Sequence, residues 1–252
     1  MKQKTLALPI RTTDYSDSSQ VASLFTRETG LVEVIVKGAY RPRNAFQGPL
    51  DLAVLREVVY VERRAPALSI LAESEVLDGY RGLRASWRRH AAASQVIELI
   101  RWVATGGEPA HELFDLTAGT LERLDAAPLA EVSAWVLRFE LRALRVLGFL
   151  GAIDSCVACN RLWPGEGRGA YFSARAGGLV CSRCRSRGRA AAAVTALPGR
   201  AVRSLQRFAD DLPPAGGLED KLARQLHRVL SESCAFHLER PFRMLPYSAA
   251  WL

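Results

Sequence analysis

An α+β chain, in which an amino-terminal OB-fold β-barrel precedes an α-helical domain with an inserted four-cysteine module, is predicted by three features of the sequence. Up to about residue 75, short runs of alternating or β-branched residues are separated by turn signals. Beyond that point apolar residues recur at three- and four-residue spacing, the period of a helix buried on one side. Within the helical part, Cys156-Val-Ala-Cys159 and Cys181-Ser-Arg-Cys184 are separated by 21 residues. The expected division is therefore residues 1–75 for the barrel and 76–252 for the helical domain, with the cysteine module at about 153–187.

Within the barrel, residues 5–11, 20–25 and 31–37 are the first three candidate strands, and Thr26-Arg-Glu-Thr-Gly30 is a hairpin loop ending in Gly. Val32, Val34 and Val36 alternate with Leu31, Glu33, Ile35 and Lys37, giving one apolar and one mixed face. Residues 50–62, with Val54, Val58, Val59, Tyr60 and Val61, read as a fourth strand, and 68–71 as a short fifth. Five strands in so short a segment suggest a small barrel of OB type.

Helical periodicity takes over after Ala72. Val76, Tyr80, Leu83 and Trp87 form one stripe of a first helix, and Arg81, Arg84 and Arg88 form a basic stripe on the same helix. Val96, Ile100 and Val103 continue the pattern to Gly106-Gly107, and Leu113, Thr117, Leu121 and Leu124 restart it. After Pro128, the residues Val132, Trp135, Val136, Phe139, Ala143 and Val146 trace the broadest apolar stripe. Helical spacing returns over 200–212 and 218–238, on either side of Pro213-Pro214-Ala-Gly-Gly. The alanine-rich stretch 189–193 reads as a connector.

Two C-x-x-C knuckles supply four thiolates at the corners of a tetrahedron, so Cys156, Cys159, Cys181 and Cys184 are read as ligands of one structural Zn2+ per chain. A full set of four cysteines leaves no open position for water or substrate. A pair of redox dithiols is the competing reading, but a redox C-x-x-C opens a helix after a strand in a thioredoxin-like unit, and that pattern is missing here. Gly177-Gly178-Leu179-Val180 leads into the second knuckle as a short β-ribbon would. The fifth cysteine, Cys234, shares a helical face with Leu222, Leu226 and Leu230 and reads as a core thiol.

Thirty-four Lys plus Arg against 26 Asp plus Glu give a net charge of +8, which suits a polyanionic partner or simply a basic surface. The excess is mostly arginine, suited to bidentate phosphate contact. No stretch approaches the ~20 apolar residues of a membrane span, and the amino terminus is too polar for a signal peptide. The expectation is a cytoplasmic protein with no membrane association. Lys37-Gly-Ala-Tyr40-Arg41-Pro-Arg43 follows a strand and sets three cations beside an aromatic ring. That segment fits either a phosphate cradle with stacking surface or a solvated basic turn. The Arg81, Arg84 and Arg88 stripe fits an ordinary solvated helix face, an extension of that basic track or a site for an acidic partner peptide. Asp14 and Asp17 read as turn-closing residues. No phosphate loop, dinucleotide fingerprint or H-E-x-x-H is present, and His90, His111, His227 and His237 form no cluster, so no catalytic residues are assigned and no enzyme is expected.

Arg11-Thr-Thr-Asp-Tyr-Ser-Asp in the first loop of the barrel, followed by Lys37-Gly-Ala-Tyr-Arg-Pro-Arg, a helical domain with an inserted four-cysteine module, and the ending His237-Leu-Glu-Arg-Pro-Phe-Arg243, resembles the RecO family of bacterial recombination mediators. The resemblance covers nearly the whole chain and implies a nucleoid-associated DNA repair protein without enzymatic activity. It implies binding of single- and double-stranded DNA, strand annealing and, with RecR, loading of RecA onto strands coated by single-strand-binding protein, whose acidic C-terminal tail engages the helical domain. Carried over by position, DNA contact falls on Lys37, Arg41 and Arg43, with Arg11 as a lesser member of the set. Tyr40 stands where the family usually has another basic residue, so the loop here contacts DNA more by stacking. A zinc-ribbon regulatory or interaction protein that touches DNA only incidentally is the alternative.

Overall fold

The computed structural model describes residues 1–63, 66–163, 169–188, 194–210, 217–240 and 248. They fall into two compact units, Met1–Ala126 and Ala127–Leu252.

In the first unit β1 (Lys2–Ser16) pairs antiparallel with β2 (Ser19–Thr26), β2 with β3 (Gly30–Val36), β1 with β4 (Leu55–Val61), and β4 with β5 (Ser69–Asp78). Parallel pairing of β3 with β5 at Val34↔Ser69 and Ile35↔Ile70 closes the ring in the order β1-β2-β3-β5-β4. That ring is an OB-like barrel. Period-2 alternation sets its register: Val34 and Val36 are buried while Glu33 faces solvent, and Ala7, Leu24, Val58 and Leu71 meet them inside.

The barrel is fastened to the helices of its own unit through backbone. Leu31 N–H donates to Thr105 O at 2.8 Å, Gly107 N–H to Thr29 O at 3.1 Å and Ala110 N–H to Arg27 O at 3.0 Å. Gly30 makes this possible, because its φ of +68° lies in the left-handed region and a Cβ there would strike the Thr105 and Glu108 carbonyls. Nearby, Arg27 donates twice to the Asp115 carboxylate, at 2.8 and 2.9 Å, and Phe25 packs on Phe114 with centroids 5.6 Å apart.

Several expectations for this unit are corrected. Thr12 to Ser16, expected in a loop, continue β1, and the turn to β2 is confined to Asp17 and Ser18. The fourth strand starts at Leu55 and not at Leu50. The fifth runs to Asp78, so Val76 belongs to a strand opposite Arg56. The single helix from Val76 does not form. Tyr80 sits in the left-handed region at φ 44° with its N–H donating to Asp78 Oδ1, which ends the strand. α1 (Arg81–Ala85) is one turn, Ser86 is extended, and α2 (Trp87–Val103) begins anew. The interruption resets the helical phase, so Leu83 is buried but Trp87 is 67% exposed. α3 (His111–Ala126) follows with Leu113, Thr117, Leu121 and Leu124 inside, as its spacing predicts.

The second unit is organised on α4 (Val132–Val146), which a short 3-10 turn at Leu129–Glu131 introduces. Val132, Val136 and Phe139 are completely buried along its stripe, each side chain gaining about 1.5–3 kcal/mol from leaving water. The cysteine module comes next: β6 (Ala170–Ser173), β7 (Gly178–Val180), α5 (Ser182–Ser186) and β8 (Thr195–Leu197), with the strands in the order β7-β6-β8. α6 (Gly199–Ala209) and α7 (Asp220–Leu238) then pack back onto α4. Between α4 and α7 the Glu140 carboxylate meets His227 Nδ1 at 3.1 Å, with Ser231 Oγ 3.2 Å from the same nitrogen. Cys234, one turn beyond Ser231, is 1% exposed, and burial with the Glu140 charge nearby pushes its thiol well above the ordinary range. It is a core thiol. The proline breaker at 213–214, the connector 189–193, the Gly-rich stretch 164–168 and the tail from Pro241 to Arg243 lie outside the described residues. No helix among the described residues is long and apolar enough to cross a membrane.

Candidate nucleic-acid interface and metal centre

The connection from β3 to β4 carries the cations that the sequence singled out. Lys37, Arg41 and Arg43 are all exposed on it, while Ala39, Phe46, Leu50 and Val54 of the same connection turn inward and are buried. Phe46 and Leu50 anchor in the barrel core. Polar bonds fix the rest of the path. Asn44 donates to the Ala39 and Arg41 carbonyls at 3.2 and 2.8 Å and accepts from the Phe46 and Gly48 N–H groups at 2.9 and 3.1 Å. Gln20 and Leu50 exchange two bonds, and Arg56, 3% exposed inside β4, donates to Phe46 O and Ser74 Oγ, both at 3.1 Å. Burial pulls the Arg56 guanidinium below its ordinary range. Sequence reasoning missed Arg56 as a loop anchor, since an Arg in a β-run reads as outward-facing.

At its start the connection leans on the β1–β2 turn. Tyr40 N–H donates to Ser18 O at 3.3 Å and Gly38 N–H to Ser19 Oγ at 3.4 Å. Tyr40 is 39% exposed, and its hydroxyl donates to Asp14 of β1, a bond that raises the phenol above its ordinary range. Asp14 thus braces Tyr40 and does not close a turn. Gly38 has φ +76°, and a Cβ there would press on Arg41 Cδ at 3.3 Å. The chemical result is a rigid basic loop with one partly exposed ring, able to meet phosphates with charge and a base with a π-face.

Arg11 is exposed on β1, where a bulge interrupts its pairing with β2. Arg81 and Arg84 are exposed on α1, whereas Arg88 is half-buried on α2, so one continuous basic stripe is not formed. Arg84 approaches the Asp51 carboxylate at 3.9 Å, which sets α1 beside the far end of the basic loop. Trp87 is stacked on His90 with centroids 6.0 Å apart at 24°. Sequence reasoning placed Trp87 in a core stripe. The signal that could have found it is its position directly after Ser86 and before Arg88-Arg89, a helix start rather than a helix middle.

The four cysteines converge. Their sulfurs all lie within 4.8 Å of one another, and Cys159 Sγ is 3.9 Å from Cys181 Sγ. Thiolates at ~2.3 Å from a tetrahedral ion stand about 3.8 Å apart, so the set fits a metal. Local folding explains the convergence. The first knuckle turns through Cys159 N–H to Cys156 O at 3.3 Å and Asn160 N–H to Cys156 O at 2.7 Å, with Asn160 at φ 56°. Val157 N–H donates to Leu179 O at 2.8 Å, which docks that knuckle on β7. The second knuckle opens α5, where Cys181 caps the helix by accepting from Cys184 N–H at 3.4 Å. Burial opposes the Cys156 thiolate, yet the N–H groups of Cys181, Ala158 and Cys159 outweigh it and lower the thiol to about 7. Burial and the neighbouring thiols push Cys184 up to about 12. Four sulfurs this close cannot all ionise by themselves, and a cation among them removes the conflict.

Comparison with known proteins covers both parts of the chain. The family model described as "Recombination protein O N terminal" matches residues 1–80, and the one described as "Recombination protein O C terminal" matches residues 84–246. A DNA repair protein RecO from an Anaeromyxobacter species is 33% identical over 240 residues, 92% of this chain and 93% of the relative. The protein of the same name from Myxococcus xanthus is 32% identical over 244 residues, 96% of this chain and 95% of the relative. A third, from Rhodopirellula baltica, is 32% identical over 180 residues, 71% of this chain and 66% of the relative.

Proposed function

Because the chain belongs to the RecO family of DNA repair proteins, we propose that it is a non-enzymatic recombination mediator that binds single- and double-stranded DNA and anneals complementary strands. With RecR it helps RecA onto strands coated by single-strand-binding protein, whose acidic tail it engages. It works in the bacterial cytoplasm at the nucleoid.

The observation that carries this reading is the loop bearing Lys37, Arg41 and Arg43, exposed and pinned to an OB-like barrel next to the β1–β2 turn. OB-folds bind oligonucleotides across the β2–β3 face and the adjoining loops, and a basic loop at that edge supplies the phosphate contacts. Arg11 and Tyr40 extend the surface along β1, Tyr40 as a stacking ring. Trp87 offers a second exposed ring, with Arg88 next to it on α2 and Arg81 and Arg84 on the preceding α1, for the strand or for the partner's acidic tail. Annealing then needs no nucleotide, since neutralised phosphates let two strands approach.

The metal is read as one structural Zn2+ per chain. Cys156, Cys159, Cys181 and Cys184 would hold it, and a dication among four thiolates fixes the fold of the module without an open coordination position.

The salt dependence of single-strand affinity checks the loop. Each phosphate contact contributes about −0.7 to the slope of log K against log salt. Changing Lys37, Arg41 and Arg43 together to Ala is expected to flatten the slope by about 2. A slope identical to that of the unaltered chain would place the interface elsewhere.

A further inference from the structure

The second unit carries a cation cluster that nothing so far accounts for. A recess of about 210 Å³ opens beside the four thiols, lined by Cys159, Arg161, Arg183, Cys184 and Arg187. Cys156 and Cys181 do not line it, so it lies on the outer side of the metal set and not between the sulfurs. All three arginines are exposed. Among the described residues no carboxylate forms an ion pair with any of them. A fourth, Arg185, lies over the Tyr171 ring at 4.2 Å and is thereby held on the same short helix.

Neutralising the metal cluster does not use up this charge. A divalent ion with four thiolates sums to two negative charges, whereas the lining Arg161, Arg183 and Arg187 bring three positive ones, with Arg185 next to them in the chain. The surplus is positive, concave and built of guanidinium forks, the geometry that takes two oxygens of a phosphate at once. Its lining holds arginine and sulfur with no aliphatic or aromatic side chain, so an acidic peptide would find no apolar anchor there. A phosphodiester needs none.

We propose that this recess is a phosphodiester-binding site, a second nucleic-acid contact carried by the cysteine module through Arg161, Arg183 and Arg187. The inference rests on the reading that the chain binds DNA and adds a site on the other compact unit. The metal then sets the site's shape: the first knuckle places Arg161, and α5, capped by Cys181, places Arg183 and Arg187.

The test uses the full, metal-loaded chain and a fluorescent oligo-dT strand, titrated at several salt concentrations. R161Q/R183Q/R187Q is compared with K37A/R41A/R43A and with R203Q/R224Q/R228Q, which removes the same charge from exposed positions on α6 and α7. The recess variant should flatten the salt slope by about 2, with the metal content unchanged, while the α6/α7 variant stays near the unaltered chain. Equal flattening by both would reduce the effect to net charge and overturn the site. An unaltered slope in the recess variant, beside a flattened one in the loop variant, would overturn the recess and leave the DNA-binding reading intact. No binding by the unaltered chain would remove both. Should the variant lose its metal, arginine footprinting of the unaltered chain with phenylglyoxal decides: oligo-dT should protect Arg161, Arg183 and Arg187 several-fold, and unchanged labelling would contradict the proposal. An Asp/Glu-rich peptide that loses binding in the recess variant, while oligo-dT does not, would reassign the recess to an acidic partner and overturn it.

Discussion

Stripping the proposed metal, or changing Cys184 to Ser, is expected to unfold the module around β6, β7 and α5 while the barrel keeps its structure. The reason is how little else holds the module. Its core is a cluster of Cys156, Val180 and Cys184, with Val157, Tyr171 and Cys181 packed against it, so half of its members are the ligands themselves. Its strands are four, three and three residues long, too short to be stable by pairing alone. Small zinc modules draw about 10–16 kcal/mol of apparent stabilisation from the ion, and most are unfolded without it. The barrel has its own core of Val34, Val36, Val58 and Leu71 and contains none of the five cysteines. Amide exchange before and after chelation reads both at once. Protection should vanish over 170–181 and persist over β1 to β3. Full protection over 170–181 in the metal-free chain would show that packing, not a metal, holds the knuckles.

Outside the cysteine module, the Glu140–His227 pair is expected to give a large single-residue effect on the helices of the second unit. Both side chains are at most 2% exposed, and Oε1 and Oε2 of Glu140 each lie 3.1 Å from Nδ1. Removing one partner of a buried pair loses the interaction where water cannot replace it, which costs about 3–5 kcal/mol. Glu140→Leu and His227→Leu should each destabilise the unit by that order in denaturant titrations. The double change to Leu should cost clearly less than the two together, because both single changes lose the same interaction. Additive losses would show that the two residues act independently of each other.

Where side-chain periodicity and structure coincide, the fold was legible from the chain. Val34 and Val36 against Glu33 placed β3, and the Val132–Val136–Phe139 spacing placed α4, because each element has one face buried and one in water. The cysteine cluster was legible for another reason: C-x-x-C fixes two sulfurs on one turn whatever surrounds it. β5 was cut short because Glu73, Ser74 and Glu75 hide its alternation, and because Val76, Tyr80, Leu83 and Trp87 happen to be spaced as a helix face. Nothing local reveals that Tyr80 adopts φ 44° and breaks that face; its buried ring and its hydroxyl bond to Ala118 O, at 3.3 Å, are tertiary. The basic loop was visible as composition, but its rigidity depends on Asn44, Gln20 and Arg56, whose bonds span up to 30 residues. The recess at the cysteine module was equally hidden, since Arg161 joins Arg183 and Arg187 only when the two knuckles meet.

The central claim is that the barrel's basic loop promotes pairing of DNA strands without nucleotide. Its most direct measurement is annealing of complementary oligonucleotides coated with the cognate single-strand-binding protein, at low and moderate salt, with the unaltered chain and with K37A/R41A/R43A. The account predicts acceleration by the unaltered chain that fades as salt rises, and little or none by the triple variant. Annealing by the triple variant as fast as by the unaltered chain, or no acceleration by a folded and metal-loaded chain, would contradict it.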